Sequence, residues 1–238
     1  MKKTPAARTP TARSADFHPS SLTPHPSGLR AQSLGKRYGG RVVFKNLGFS
    51  VESGSVAAIL GANGAGKSTL LKIVAGLVRP TVGQVFWRDA QSEVAADKLK
   101  WLCGLAAPDA PVYRELTAGE NLEFFALARG LNWSSDAIAA HLEKFALRSR
   151  RHDLAGDLSS GLRARLQLAV ATLHQPPILL LDEPSANLDE AGRELLRRVL
   201  HEQRTRGVAL VATNDARDLE LCEQRIEINS ESAVHNAN

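Results

Sequence analysis

The chain has 238 residues, 43% of them hydrophobic, which suffices for one large domain or two small ones with a sizeable core. No apolar run reaches the roughly 18–20 residues of a membrane-spanning helix, so any membrane part of its function needs a partner. The net charge is +5, but five basic residues and one acidic residue among the first 30 hold four of those charges. The remainder is near neutral, and no specific nucleic-acid partner is expected.

Two terminal segments are predicted to lie outside the folded domain, which we place at 29–228. Residues 1–28 are rich in Pro, Ser, Thr and Ala and carry net positive charge, so they are predicted to form a disordered basic tail. Residues 229–238 are predicted to be a polar C-terminal tail. Cys103 and Cys222 are the only cysteines, and reduced, buried thiols are expected.

The predicted elements alternate between strands and helices. Strands are predicted at 42–44, 48–51 and 56–60, followed by a helix at 70–77 and a strand at 85–87. Residues 117–147 show apolar spacing near 3.6 residues and are predicted to be helical, as is the segment 161–174. The rest is predicted as strand 178–182, helix 190–203, strand 208–213, a short helix to residue 222, and strand 225–228. This order predicts an α/β fold with a mainly parallel sheet covered by helices.

A glycine-rich run lies between the strand at 56–60 and the helix after it. It fits G-x-x-x-x-G-K-[ST] and reads Gly61, Ala62, Asn63, Gly64, Ala65, Gly66, Lys67, Ser68 and Thr69. The glycines let the backbone curve around phosphate oxygens, and the helix N-terminus adds its positive dipole. Lys67 is predicted to contact the β- and γ-phosphates, and Ser68 to bind Mg²⁺. A chance glycine-rich turn is disfavoured because the strand and the helix both flank the run.

An apolar strand ends in two carboxylates at Asp182 and Glu183. In proteins with a phosphate-binding loop, such a strand lies beside that loop. Asp182 is then predicted to bind Mg²⁺. Glu183 is predicted to orient or deprotonate the water that attacks the γ-phosphate.

Three further motifs carry a resemblance to a known family. The run 158–162 reads LSSGL, where that family has its LSGGQ signature; residues 185–189 read SANLD and match its D-loop; and Tyr38 lies where an aromatic side chain stacks on adenine. Over 29–228 the chain resembles the ATP-binding subunit of an ATP-binding cassette (ABC) transporter. The resemblance implies a P-loop NTPase fold with an antiparallel β subdomain at the N-terminal side and an inserted helical subdomain at about 108–175.

The resemblance also implies a mechanism and partners. Two cassettes pair head to tail around two ATP molecules, so Ser159, Gly161 and Asp189 of one subunit complete the site of the other. A separate transmembrane permease carries the substrate, and the cassette lies in the cytoplasm on the inner face of the membrane. Trp87, within the run 83–87, resembles the haem-exporter branch that serves cytochrome c maturation. Trp87, Trp101 and Trp133 are expected to be packing residues.

Three positions depart from the family pattern. The signature has Ser160 and Leu162 in place of Gly and Gln; Asn214 stands where the family has a His that contacts the γ-phosphate; and Pro108 stands where it has the Q-loop Gln. Asn donates a hydrogen bond but does not titrate, and Pro has no polar side chain, although neighbouring Asp109 is a candidate substitute. These changes predict a slower but working ATPase, with Glu183 and Asn214 as its catalytic residues. The alternative is a low-turnover, ATP-gated dimerisation or regulatory subunit paired with an active ATPase. A soluble family member acting on nucleic acid is supported only by the charge of the tail.

Overall fold

A computed structural model describes residues 28–88, 93–94, 96–110 and 112–228. The predicted tail segments at 1–27 and 229–238 lie outside the described residues. Gly28 was assigned to the N-terminal tail, but it begins the first strand, where it is paired with Glu52 and Arg88. The folded part therefore starts at least one residue earlier than predicted.

The N-terminal part forms a four-stranded antiparallel sheet. Its strands are β1 (Gly28–Tyr38), β2 (Arg41–Glu52), β4 (Val82–Arg88) and β5 (Glu93–Val94), in the order β2-β1-β4-β5. Strand β1 is not predicted from the sequence, because its buried residues alternate irregularly and its register with β2 shifts three times. The two predicted strands at 42–44 and 48–51 belong to one strand, β2. Asn46 lies inside it in the left-handed region, at φ 51°.

A five-stranded sheet forms the centre of the domain. It contains β3 (Val56–Leu60), β6 (Cys103–Ala106), β7 (Ile178–Asp182), β8 (Val208–Ala212) and β9 (Gln224–Glu227), in the order β6-β7-β8-β3-β9. Every strand pair of this sheet in the described ranges is parallel. All residues of β7 and β8 are buried, as expected for strands covered by helices on both faces. The predicted fold class is confirmed.

Seven α-helices and one short 3₁₀ helix (Arg148–Arg150) accompany the two sheets in the described residues. The α-helices are α1 (Lys67–Val74), α2 (Ala96–Leu102), α3 (Ala118–Ala128), α4 (Ser135–Lys144), α5 (Ser160–Thr172), α6 (Glu190–Arg204) and α7 (Ala216–Leu219). The region 117–147, predicted as helical throughout, is divided into α3 and α4. Gly130 lies between them at φ 72°, and the Ser134 side chain caps the second helix. A capping box at Thr117 and Glu120 begins the first. Among the described residues, no helix is both long and apolar enough to cross a membrane.

Alternate residues of the parallel strands point into two separate cores. Ile59, Leu180 and Leu210 pack with α1, α2 and the antiparallel sheet. Leu181 and Val211 pack with α3 to α6 on the opposite face. The sheet therefore joins the antiparallel and helical subdomains, and the loops at its carboxyl edge lie where ligands bind in open α/β sheets.

Candidate nucleotide-binding site

The phosphate-binding loop connects β3 to α1, and its backbone requires glycine. Gly64 and Gly66 have φ values of 80° and 107°. A Cβ atom on Gly66 would also lie 2.5 Å from Cγ1 of Val43. No side chain caps the N-terminus of α1. The backbone N–H groups of its first turn are thus left for an anion, which the helix dipole favours.

Asn214, in the segment that follows β8, contacts Lys67 of this loop. The Lys67 side chain is buried, and its Nζ donates to the carbonyl of Gly61 at 2.8 Å. We assign the Asn214 amide from its neighbours, an orientation in which Oδ1 accepts from Lys67 Nζ at 3.0 Å. Its Nδ2 then donates to the carbonyls of Gly61 and Thr213, each at 3.2 Å. The residue at the family's His position therefore fixes the P-loop lysine, a contact that the sequence did not predict.

Asp182 and Glu183 follow each other at the end of β7. Asp182 is buried. Glu183 has a φ of 47°, unusual for a residue with a Cβ, and its N–H donates to the carbonyl of Ala212 at 2.8 Å. Burial raises the pKa of the Glu183 carboxyl, and the nearby Lys67 ammonium opposes that shift. A raised pKa brings a carboxylate closer to the range in which it acts as a general base.

One cleft of about 570 Å³ contains most of the predicted nucleotide residues. This volume lies within the usual range for small-molecule sites. Its lining consists of Tyr38, Arg41, Val43, Asn63, Gly64, Gly66, Lys67, Ser68, Thr69, Asp182 and Glu183. Tyr38 is 51% exposed, and Lys36 Nζ lies 4.5 Å from its ring centroid. Tyr38 is therefore a half-exposed residue of the cleft wall, with the Lys36 ammonium over its ring.

The predicted signature residues occupy a different surface. Ser159 caps α5, where its Oγ accepts from the N–H of Leu162 at 3.3 Å. A Cβ atom on Gly161 would lie 2.9 Å from the carbonyl oxygen of Asn187, so the D-loop passes close to the helix start. Among the described residues, neither Ser159, Gly161 nor Asp189 lines the cleft. Within one chain, they are not brought together with the phosphate-binding loop.

Asp189 connects the D-loop to the signature helix. Its Oδ1 accepts from the N–H of Gly192, capping α6, and from Nη2 of Arg165 on α5. The Arg165 hydrogen bond is the main reason that the pKa of Asp189 lies below its usual range. Arg165 is not predicted as a site residue, because its partner is 24 residues away and the motif contains no signal for the pair.

The segment 107–110 is held from two sides. Asp109 forms an ion pair with Lys72 of α1, with Oδ2 and Nζ 2.5 Å apart. Nε2 of Gln167, on α5, donates to the carbonyl of Ala107 at 2.9 Å and to that of Ala110 at 3.4 Å. Pro108 is exposed and does not line the cleft in the described part of the chain. Asp109, the candidate substitute for the Q-loop Gln, contacts a lysine on α1 and is likewise not among the cleft residues.

The family follows from comparison with known proteins. The family described as ABC transporter matches residues 44–186. The chain belongs to this family. It is one of the ATP-binding cassettes, with the parallel sheet, the antiparallel sheet and the helices expected of that fold.

Several curated proteins and solved structures are similar to the chain. The chain is 35% identical over 187 residues to the cytochrome c biogenesis ATP-binding export protein CcmA of Cupriavidus necator, covering 78% of this chain and 82% of that one. It is 31% identical over 213 residues to the probable multidrug ABC transporter ATP-binding protein YbhF of Escherichia coli K12, of which it spans only 37%. A solved structure described as the ATP-binding subunit of an ABC transporter matches with a TM-score of 0.72 and 25% identity, covering 84% of this chain and 85% of that one.

Proposed function

We propose that this chain binds and hydrolyses Mg-ATP and so drives a separate membrane subunit. The carrying observation is that one cleft contains the phosphate-binding loop, Lys67, Asp182 and a Glu183 whose pKa is raised. Lys67 holds phosphate oxygens in this arrangement. Glu183 orients the attacking water and accepts its proton. Asn214, at the family's His position, fixes Lys67.

The residues of the cleft fit a magnesium ion. The Ser68 hydroxyl and the Asp182 carboxylate both line it, and both are hard oxygen ligands of the kind Mg²⁺ prefers. The described residues contain no group of three or more His, Cys, Asp or Glu side chains that could hold a metal by itself. Mg²⁺ would thus be held by Ser68 and Asp182 together with phosphate oxygens and water, and would neutralise the phosphate charge.

A second copy of a cassette completes the site in our proposal. Ser159 is exposed at the start of α5, where its Oγ caps the helix, and the helix dipole favours an anion at this end. A γ-phosphate bound on the loop of another subunit supplies the anion that this helix start favours. The intact Ser159 and Gly161 support such pairing, with an identical or a related subunit.

The membrane partner is proposed to dock in a groove between α1, α2, α3 and α5. The groove is lined mostly by apolar side chains, including Leu77, Leu105, Phe125 and Val170, with Lys100 and Arg129 among them. Trp101, expected to be a packing residue, is 47% exposed. A partner helix with an apolar face and an acidic side chain matches this lining, and the cassette would then lie on the inner face of the membrane.

The cytochrome c biogenesis branch is our candidate for the transporter type. Two CcmA proteins, from Cupriavidus necator and Cupriavidus metallidurans, match over 82% and 89% of their lengths at 35% identity. Trp87 lies in β4 and is 2% exposed, so it is a packing residue of the antiparallel sheet. Co-purification of a multi-span membrane protein of that branch with the chain would test this assignment.

A low-turnover, ATP-gated subunit is the second candidate. The observation that favours it is Asn214, whose amide contacts Lys67 and which cannot titrate. The two candidates differ in one experiment. If the chain is a working ATPase, the first candidate, Glu183→Gln abolishes Mg-ATP hydrolysis by the purified chain while ATP binding persists. Glu220→Gln, an exposed carboxylate beside α7, is the control. Activity unchanged by Glu183→Gln would overturn the first candidate.

A further inference from the structure

A buried carboxylate contacts the two segments that carry Glu183 and Asn214. Asp218, on α7, is 3% exposed, and its Oδ2 accepts two hydrogen bonds. One comes from Oγ of Ser185 at 2.8 Å and the other from Oγ1 of Thr213 at 2.9 Å. Ser185 and Thr213 are themselves buried. Ser185 is the first residue of the D-loop motif, whereas Thr213 belongs to none of the motifs by which the sequence predicts a nucleotide site.

Each hydroxyl anchors a segment that carries a predicted catalytic residue. Ser185 lies two residues after Glu183, in the segment that leaves β7. Thr213 immediately precedes Asn214, in the segment that leaves β8, and its Oγ1 also accepts from the N–H of Asp215 at 3.0 Å. Asp218 therefore fixes the two segments relative to each other without lining the cleft itself.

We call the hydrogen bonds from Ser185 and Thr213 to Asp218 the bridge. Burying the Asp218 carboxylate costs free energy that an apolar side chain at the same position would not cost. Burial raises the pKa of the Asp218 carboxyl, and the two hydroxyl hydrogen bonds act against this shift. A buried carboxylate is normally expensive and is tolerated only when it is well hydrogen-bonded. An apolar side chain in its place would fill the volume but would leave both hydroxyls without this acceptor.

We propose that Asp218 is a positioning residue for ATP hydrolysis, acting through Ser185 and Thr213 to set the geometry of Glu183 relative to Asn214. None of the three side chains lines the cleft in the described ranges. They therefore contribute to the placement of the reacting groups and not to nucleotide affinity. A misplacement of about 1 Å in such a site can lower the rate about 100-fold. This inference rests on the proposed ATPase function.

The test compares kcat with KM in the purified full chain. Ser185→Ala and Thr213→Val each break the bridge, so each is expected to lower kcat about 10- to 100-fold and leave the KM for ATP within about twofold. The double variant is expected to lose no more than either single one, because the bridge is already broken. Asp218→Asn keeps an acceptor oxygen and is expected to retain most of kcat, whereas Asp218→Ala loses as much as the single hydroxyl variants.

Controls separate positioning from folding and from the proposed function. Thr172→Val removes a hydroxyl that bonds only within α5 and should leave kcat unchanged. Rates are expressed per binding-competent site, from titration with a fluorescent ATP analogue, so that unfolded material does not count. Unchanged kcat, multiplicative losses in the double variant, or an Asp218→Asn variant as poor as Asp218→Ala would each overturn the inference. If Glu183→Gln loses activity and these variants do not, only the bridge fails; if the unaltered chain hydrolyses no ATP, both proposals fail.

Discussion

Lys72 on the helix after the phosphate-binding loop forms an ion pair with Asp109, the residue next to Pro108. Their side chains are 33% and 62% exposed, so water screens the pair. The Asp109 hydrogen bond raises the pKa of Lys72. We expect Asp109→Asn to lower the free energy of unfolding by only about 0.2–1 kcal/mol, and less at high salt. Denaturant titrations at two salt concentrations, with Asp157→Asn as the exposed control, measure this. A large loss of ATP affinity in Asp109→Asn would instead mean that Asp109 does replace the Q-loop Gln.

Asn214→His is expected to raise turnover. An imidazole can titrate near neutral pH and carry positive charge toward the γ-phosphate, which an amide cannot. We expect kcat to rise roughly tenfold or more, within the range that acid–base groups contribute. Steady-state ATP hydrolysis measures it, with Asn214→Ala as the variant that removes the Lys67 contact without adding a ring. No gain from the His variant would favour the low-turnover subunit.

Gly66→Ala is expected to remove ATP binding. The substitution forces a Cβ into a backbone with φ 107° and places it 2.5 Å from a Val43 methyl group. The loop must then shift away from the geometry that directs its N–H groups at phosphate. Gly130→Ala is the matched control, because it has φ 72° but nothing within 4 Å of the added Cβ. Both variants should lose about 1–2 kcal/mol of stability from the left-handed backbone, yet only Gly66→Ala should weaken ATP binding, by more than about tenfold. Equal ATP affinities in calorimetric titrations would contradict this.

The buried His174 side chain is expected to make the free energy of unfolding sensitive to acid. Burial lowers the pKa of its imidazole from 6.5 to about 3, and within the described residues neither ring nitrogen has a hydrogen-bond partner. A lowered pKa means that the unfolded chain binds the proton more tightly. Stability is therefore full above about pH 6.5 and falls as pH drops toward 3, by up to about 1.4 kcal/mol for each pH unit. We expect His174→Leu to flatten this dependence in urea titrations, while His201→Gln, at an exposed position, leaves it intact. An unchanged slope in His174→Leu would assign the acid sensitivity to other groups.

Local signals in the sequence predict the strands and helices, but they do not predict the long-range contacts between them. The apolar runs of β7 and β8 and the glycine spacing of 61–66 are dictated by adjacent residues, and their elements are confirmed. β1 was not predicted because bulges break its alternation, and Ser33 within it has a φ of 47°. The Asp109 and Lys72 partners are 37 residues apart, and Ser185 and Asp218 are 33 apart. No periodicity or spacing connects such residues; only the packing of the parallel sheet brings them together.

The sequence predicts which residues form the site, but it does not predict the contacts between them. Seven of the predicted residues line one cleft together with Asp182 and Glu183, which are both at the end of one strand. Asn214 was predicted from its position alone. Its amide contacts with Lys67 and Gly61 depend on how β8 lies beside β3, which sequence spacing does not encode.

The signature helix α5 joins two loops that are far apart in the chain. Arg165 holds Asp189 in one loop, and Gln167, two residues later on the same helix, holds the carbonyls of Ala107 and Ala110 in the other. The second loop is in turn tied to α1 through Asp109 and Lys72. A rigid helix carries both attachments, so any tilt of α5 pulls on the two loops together. A displacement of α5 at the groove beside Val170 would therefore be transmitted along this one helix to Asp189, without involving the nucleotide.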